Sequence, residues 1–278
     1  MRACPKISPR HTDLGGQAMR RKHYHSDLSD QECQVIHGLI PVNQGPGRKM
    51  TLNLREVLDA IFYVVRTGCQ WRALPGDFPN WNSVYYHFRK WVKDGTWRAI
   101  NAALCKLERQ TRGRKPQPTG GVIDTQSVKT TALACERGFD GHKRIKGHKR
   151  HILTDTVGNL LEVVVHTADV ADCKGAPPLI EKVVETFPTI KKIWADGAYK
   201  GDLIDLVKET LAAVLEIVER EAGQKGFQVL PKRWVVERTF AWFEWYRRLS
   251  RDYERLLECS ESMIYLASIR IMLRHITP

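Results

Sequence analysis

The apolar positions change period part-way along the chain, and that change divides it. Up to about residue 110 they recur every three or four residues. Ser29-x-x-Glu32 has capping-box form, and Val35, Ile36, Leu39 and Ile40 follow at helical spacing until Pro41. After a loop over 43–49, Asn53 is placed to cap a helix. Leu54, Val57, Leu58, Ile61, Phe62 and Val65 share one face of it, and Gly68 closes it. A turn with Pro75 and Pro79 leads to a helix over 80–94 with Val84, Phe88, Trp91 and Val92 inward, and a fourth helix covers 96–110. Residues 111–120, with Gly113, Pro116, Pro118 and Gly120, read as a linker.

Beyond the linker the pattern becomes that of strands. β-Branched residues flank Asp124, and segments 152–156 and 160–167 form a hairpin about a turn at 157–159. A helix over 175–187, a strand over 190–195, a helix near 202–210 and a strand near 212–219 follow. A long helix over 231–258 and a last one over 261–275 end the chain. This order makes an α+β protein: a helical N-terminal region of helix-turn-helix type over 29–110, then a mixed-sheet domain over 121–278. Residues 1–28, rich in Arg, His, Pro and Gly, have no apolar period and are expected to be a disordered basic tail. Met19, just before Arg20-Arg21-Lys22, is a second candidate start.

Charge narrows the partners. The 44 Lys and Arg against 31 Asp and Glu give a net charge of +13, which favours a polyanion, nucleic acid before an anionic membrane. No apolar run reaches the roughly 20 residues of a membrane span, and no apolar signal core follows the N-terminus. The seven cysteines show neither Cys-x-x-Cys nor zinc-finger spacing and read as reduced thiols of a cytoplasmic protein.

Three acids stand at comparable places. Asp124 lies on the first strand of the second region, Asp196 ends the strand Ile193-Trp194-Ala195, and Glu237 lies early in the long helix. Each has an ordinary structural explanation: a turn for either Asp, and an i,i+4 pair with Arg233 for Glu237. Together they match the order of a retroviral-integrase-like RNase H fold, in which three carboxylates meet at one end of the sheet.

The motifs around them are more specific. Asp196-Gly197-Ala198-Tyr199-Lys200-Gly201 resembles the second-Asp motif of bacterial insertion-sequence transposases of the DDE type. Val235-Val236-Glu237-Arg238-Thr239-Phe240 with Tyr246-Arg247-Arg248-Leu249 resembles their Glu-helix signature. Ile123-Asp124-Thr125-Gln126-Ser127, Lys146-Gly147-His148-Lys149-Arg150-His151 and Arg66-Thr67-Gly68-Cys69-Gln70-Trp71-Arg72 are similar to the same group, insertion-sequence family five, over about residues 20–276. Related family-four enzymes carry Tyr-x-x-Arg-x-x-x-Glu-x-x-x-x-x-x-Lys. Arg233 and Glu237 fit it, whereas Leu230 and Glu244 replace its Tyr and Lys.

The resemblance implies a transposase that binds terminal inverted repeats, then cuts DNA and transfers strands. It implies two Mg²⁺ (Mn²⁺ as an alternative) on Asp124, Asp196 and Glu237, and a homodimer on double-stranded DNA near the bacterial nucleoid. Alternatives are a catalytically inactive repressor of the element and an RNase H-like nuclease without strand transfer. The expected DNA contacts are Tyr86, Arg89, Lys90 and Lys93 on the third helix, Lys143, Arg144, Lys146, Lys149 and Arg150 in the basic stretch, and Arg233 and Arg238 beside Glu237.

Overall fold

A computed structural model of the chain describes residues 11–12, 18–19, 21–41, 52–134, 136–219 and 232–277. The expected loop over 43–49, Leu230 and most of the segment before residue 21 lie outside them. β1 (His11–Thr12) and β2 (Ala18–Met19) form a short antiparallel pair. Four helices follow: α1 (Asp30–His37), α2 (Leu54–Thr67), α3 (Trp81–Lys93) and α4 (Thr96–Thr111). The capping box at Ser29 and Glu32 forms reciprocally, and Asn53 caps α2 by accepting from the Arg55 N–H. Gly68 ends α2 in the left-handed region, φ 73°, with Arg247 packed against the place a Cβ would take.

Residues 21–28 are not a tail. Arg21 pairs with Asp27 and with the buried Asp59 of α2, both at 2.9 Å, and Tyr24 stacks on Phe78. Leu28 is fully buried. Charge pairing and one aromatic ring, rather than apolar period, fix this segment, which is why its pattern was silent.

The sheet contains β3 (Gly120–Lys129), β4 (Gly138–Asp140), β5 (Ile145–Asp155), β6 (Leu160–Thr167), β7 (Lys192–Ala195) and β8 (Val214–Ile217). Its spatial order is β6 or β4, then β5, β3, β7 and β8, with β4 and β6 sharing the outer edge of β5. The β3–β5 and β5–β6 pairs are antiparallel, and β3–β7 and β7–β8 are parallel. On one face lie α5 (Asp172–Gly175), α6 (Pro177–Thr186) and α7 (Leu203–Leu211). On the other lie α4, α8 (Arg233–Glu244) and α9 (Leu257–Ile276).

Two boundaries differ from the sequence reading. β5 starts at Ile145, seven residues before the expected strand at 152, so the basic stretch is central sheet. The helix expected over 231–258 stops at Glu244. A 3₁₀ turn, Arg247–Leu249, follows, and extended chain bridges Asp252 to Thr130 before α9 begins. Tyr246 and Leu249 are drawn into the core there, and Asp252 N–H donates to Lys129 O, so tertiary partners outcompete helix continuation. The linker does not separate two cores. α9 packs on α1, α2, α3 and α4 as well as on β6, and one apolar cluster runs from Leu28 to Leu273.

Candidate active site

The site is set by strand register. Val122 of β3 pairs in parallel with Trp194 of β7, so two residues further on Asp124 and Asp196 lie level with one another. β7 has ended by then, and Asp196 caps the 3₁₀ turn Gly197–Tyr199 by accepting from the Ala198 N–H at 2.9 Å. A crevice therefore opens at the carboxyl ends of two parallel strands, the usual place for a site in such sheets. α8 crosses β3 on this face and brings Arg233 and, one turn later, Glu237.

The Arg233 guanidinium sits among the three acids. Its Nη2 is 3.7 Å from Asp124 Oδ2, 3.4 Å from Asp196 Oδ2 and 4.0 Å from Glu237 Oε1. The bland alternative of a simple Arg233–Glu237 helix pair is therefore the longest of three contacts. Side-chain exposure rises from 16% at Asp124 through 28% at Asp196 to 56% at Glu237, so the set grades from core to solvent. Burial pushes the Asp124 carboxyl up to about 6. The Thr125 N–H, Arg233 and Lys143 pull it down, and Asp196 pushes it further up.

Carboxylate oxygens are the donors that hard divalent cations prefer, and these three surround one cationic atom. They fit such a cation in chemistry. Among the described residues no group of three or more His, Cys, Asp or Glu is closed tightly enough to hold a metal ion.

Behind Asp124, on the α5 face of the sheet, lies a polar layer that sequence reasoning missed. Thr125 Oγ1 donates to Asp172 Oδ2 at 3.1 Å, and Lys149 Nζ donates to Asp172 Oδ1 at 2.7 Å. Ser127 Oγ donates to Asp140 at 2.6 Å. His151 and His166 share a hydrogen bond at 2.9 Å, and His151 is held far below the usual imidazole range, first by burial and then by His166. Tyr199 is fully buried against the His151 ring. Asp172 carries no local signal of this role, because its partners come from β3 and β5, 47 and 23 residues earlier.

The expected DNA contacts fall into two sets. On α3, Tyr86 and Lys93 are exposed and Lys90 is half-buried. Arg89 instead turns toward α9, pairing with Glu258 and touching Cys259. In the basic stretch, Lys143, Arg144 and Lys146 are exposed, and Lys143 Nζ reaches Thr125 O at 3.3 Å. Lys149 and Arg150 are buried. Lys149 serves Asp172, and Arg150 donates to Leu249 O at 2.8 Å, so neither faces a phosphate. The strand period explains this: in β5, flanked on both edges, alternate basic side chains enter opposite faces of the core. Arg238 lies between the Trp234 and Trp242 rings, 4.6 and 4.5 Å from their centroids, and donates to Val157 O.

A mixed sheet whose parallel strand ends carry two Asp residues, faced by a Glu from a crossing helix, is the arrangement of a DDE-type domain. The chain belongs to the family described as "Transposase DDE domain", which matches residues 115–271, more than half of its length. Residues 28–101 match "Putative transposase of IS4/5 family". It is similar to a "Putative transposase for insertion sequence element IS402" from Burkholderia cepacia, 28% identical over 116 residues, covering 39% of this chain and 54% of that protein. It is also similar to "Uncharacterized protein y4sN" from Sinorhizobium fredii, 28% identical over 79 residues, covering 28% of this chain and 63% of that protein. The matches thus span somewhat over half of either relative. No solved structure matches. DDE transposase domains are RNase H-like and generally use divalent metal ions. No helix among the described residues is long and apolar enough to cross a membrane.

Proposed function

We propose that this protein is an insertion-sequence DNA transposase that binds the terminal inverted repeats of its element, cuts the DNA at their ends and joins a freed 3′ end to target DNA. One observation carries the reading: three carboxylates from a strand, a strand end and a helix converge on a single cationic position. Asp124, Asp196 and Glu237 would hold two Mg²⁺ or Mn²⁺. Bound there, the ions would supply Lewis acidity to the scissile phosphodiester and an activated nucleophile. Asp124, which accepts from the Thr125 N–H, is the most buried member of the set, and Glu237 is the most exposed.

The helical region over 29–110 acts as the end-recognition part, of helix-turn-helix type, with Tyr86, Lys90 and Lys93 toward DNA. Lys143, Arg144 and Lys146 contact phosphates beside the site, where Lys143 already lies near Asp124. Arg233 and Arg238 contact the cleaved strand. Two ends must be joined, so the active form is a homodimer on DNA, working in the bacterial cytoplasm at the nucleoid.

An Mg²⁺-dependent assay on labelled element ends and a target plasmid tests this. Asp124→Asn, Asp196→Asn and Glu237→Gln should each abolish cleavage and strand transfer while retaining end binding. Normal cleavage by any of the three would remove that residue from the set. A wild type that binds ends and never cuts would replace the reading with that of a repressor.

A further inference from the structure

Arg233 is placed oddly for a phosphate ligand. It opens α8, where the helix dipole disfavours a cation, and the residue before it, Lys232, has φ +69°, uncommon for a residue with a Cβ. Its Nε is buried and finds no hydrogen-bond partner among the described residues. Its Nη2 makes three ion-pair contacts of 3.4–4.0 Å with the three acids. These distances exceed the 2.0–2.1 Å of a Mg²⁺–oxygen bond by about 1–2 Å. A metal ion cannot share that central position with a guanidinium, on grounds of both volume and charge.

We infer that Arg233 is a placeholder cation: in the DNA-free protein it occupies the centre of the carboxylate set and must withdraw before a divalent ion enters. This rests on the proposed reading of Asp124, Asp196 and Glu237 as metal ligands. While in place, Arg233 offsets the mutual repulsion of three crowded acids and competes with the metal. When it withdraws, its guanidinium needs a new anion, and a DNA phosphate at the site offers bidentate acceptors. Metal entry and DNA binding are then coupled through one side chain, and by reciprocity each favours the other. In this scheme Arg233 is first the placeholder and then the phosphate contact, and the site discourages metal loading until DNA is present.

The test is Mn²⁺ affinity, read by electron paramagnetic resonance on the full chain with circular dichroism as a folding check. Arg233→Gln keeps a polar side chain of similar reach, and Arg233→Ala provides a second variant. Without DNA, both should bind Mn²⁺ about fivefold or more tightly than wild type. Element-end DNA should then raise wild-type affinity by a larger factor than it raises that of either variant. Equal or weaker Mn²⁺ binding by folded Arg233→Gln, while Asp124→Asn and Asp196→Asn lose binding, would overturn the placeholder role and leave the metal site standing. Mn²⁺ binding unchanged in Asp124→Asn, Asp196→Asn and Glu237→Gln would overturn both.

Discussion

His148 shows how far a single residue can be read. Nδ1 lies 2.8 Å from the buried Asp252 carboxylate, and Nε2 faces Glu136 O. Both ring nitrogens meet acceptors, and only the imidazolium can donate from both. Burial opposes the charge, yet Asp252 and the Glu136 carbonyl raise the His148 pKa above its ordinary value, and Asp252 is itself held low, chiefly by His148 against the cost of burial. A raised histidine contributes stability that is fully present below about pH 6.5 and is lost as pH rises through its folded value. A depressed carboxylate contributes above about pH 4 and loses its share as pH falls through its own folded value. The pair therefore stabilises most between those limits. Denaturant unfolding of wild type and His148→Asn should show a gap at pH 5.5 that shrinks by pH 9, and a gap independent of pH would contradict an imidazolium. The sequence marks His148 only as part of a basic motif; its pairing is not legible there, because Asp252 is 104 residues away.

At the scale of elements, the sequence was most legible where period and cap agree and least where long-range partners decide. α2 and its Asn53 cap followed from local pattern alone, as did the position of Asp124 on a strand. Asp124, Asp196 and Glu237 could be picked out as candidates because each stands in a distinctive local motif. That Arg233 would sit at their centre was not, because it depends on how α8 crosses β3. The strand over 145–151 was not expected because glycine and charge hide its period, whereas Gly147 is there for close backbone approach. A Cβ at Gly147 would lie 1.9 Å from Val128 O, while one at Gly141 meets nothing within 4 Å. Gly147→Ala should therefore destabilise by more than about 3 kcal/mol, and Gly141→Ala should change stability by less than about 0.5 kcal/mol, in matched urea titrations. Similar values for both would contradict the close backbone approach at Gly147.

At the scale of the whole molecule, buried charges join the helical region to the sheet. Arg98 of α4 donates to Glu162 of β6 at 2.9 Å, to Lys182 O at 2.7 Å and to Glu185 at 3.0 Å, and Tyr265 of α9 donates to the same Glu162. Arg270 of α9 pairs with Glu32 of α1. With one continuous core, scanning calorimetry should give a single unfolding transition. Arg98→Met should lower the whole of it, by about 3–5 kcal/mol, because it leaves Glu162 buried without its cation. Two separable transitions would mean that the regions fold apart. On the proposed function, DNA bound by the helical region would be coupled to the carboxylates through this shared core.

The most direct measurement of the central claim is anomalous scattering from Mn²⁺ in crystals of the protein with an element-end duplex. Peaks should lie within coordination distance of Asp124, Asp196 and Glu237, with the Arg233 guanidinium withdrawn from among them. Mn²⁺ bound elsewhere, with Arg233 still between the three carboxylates, would contradict it.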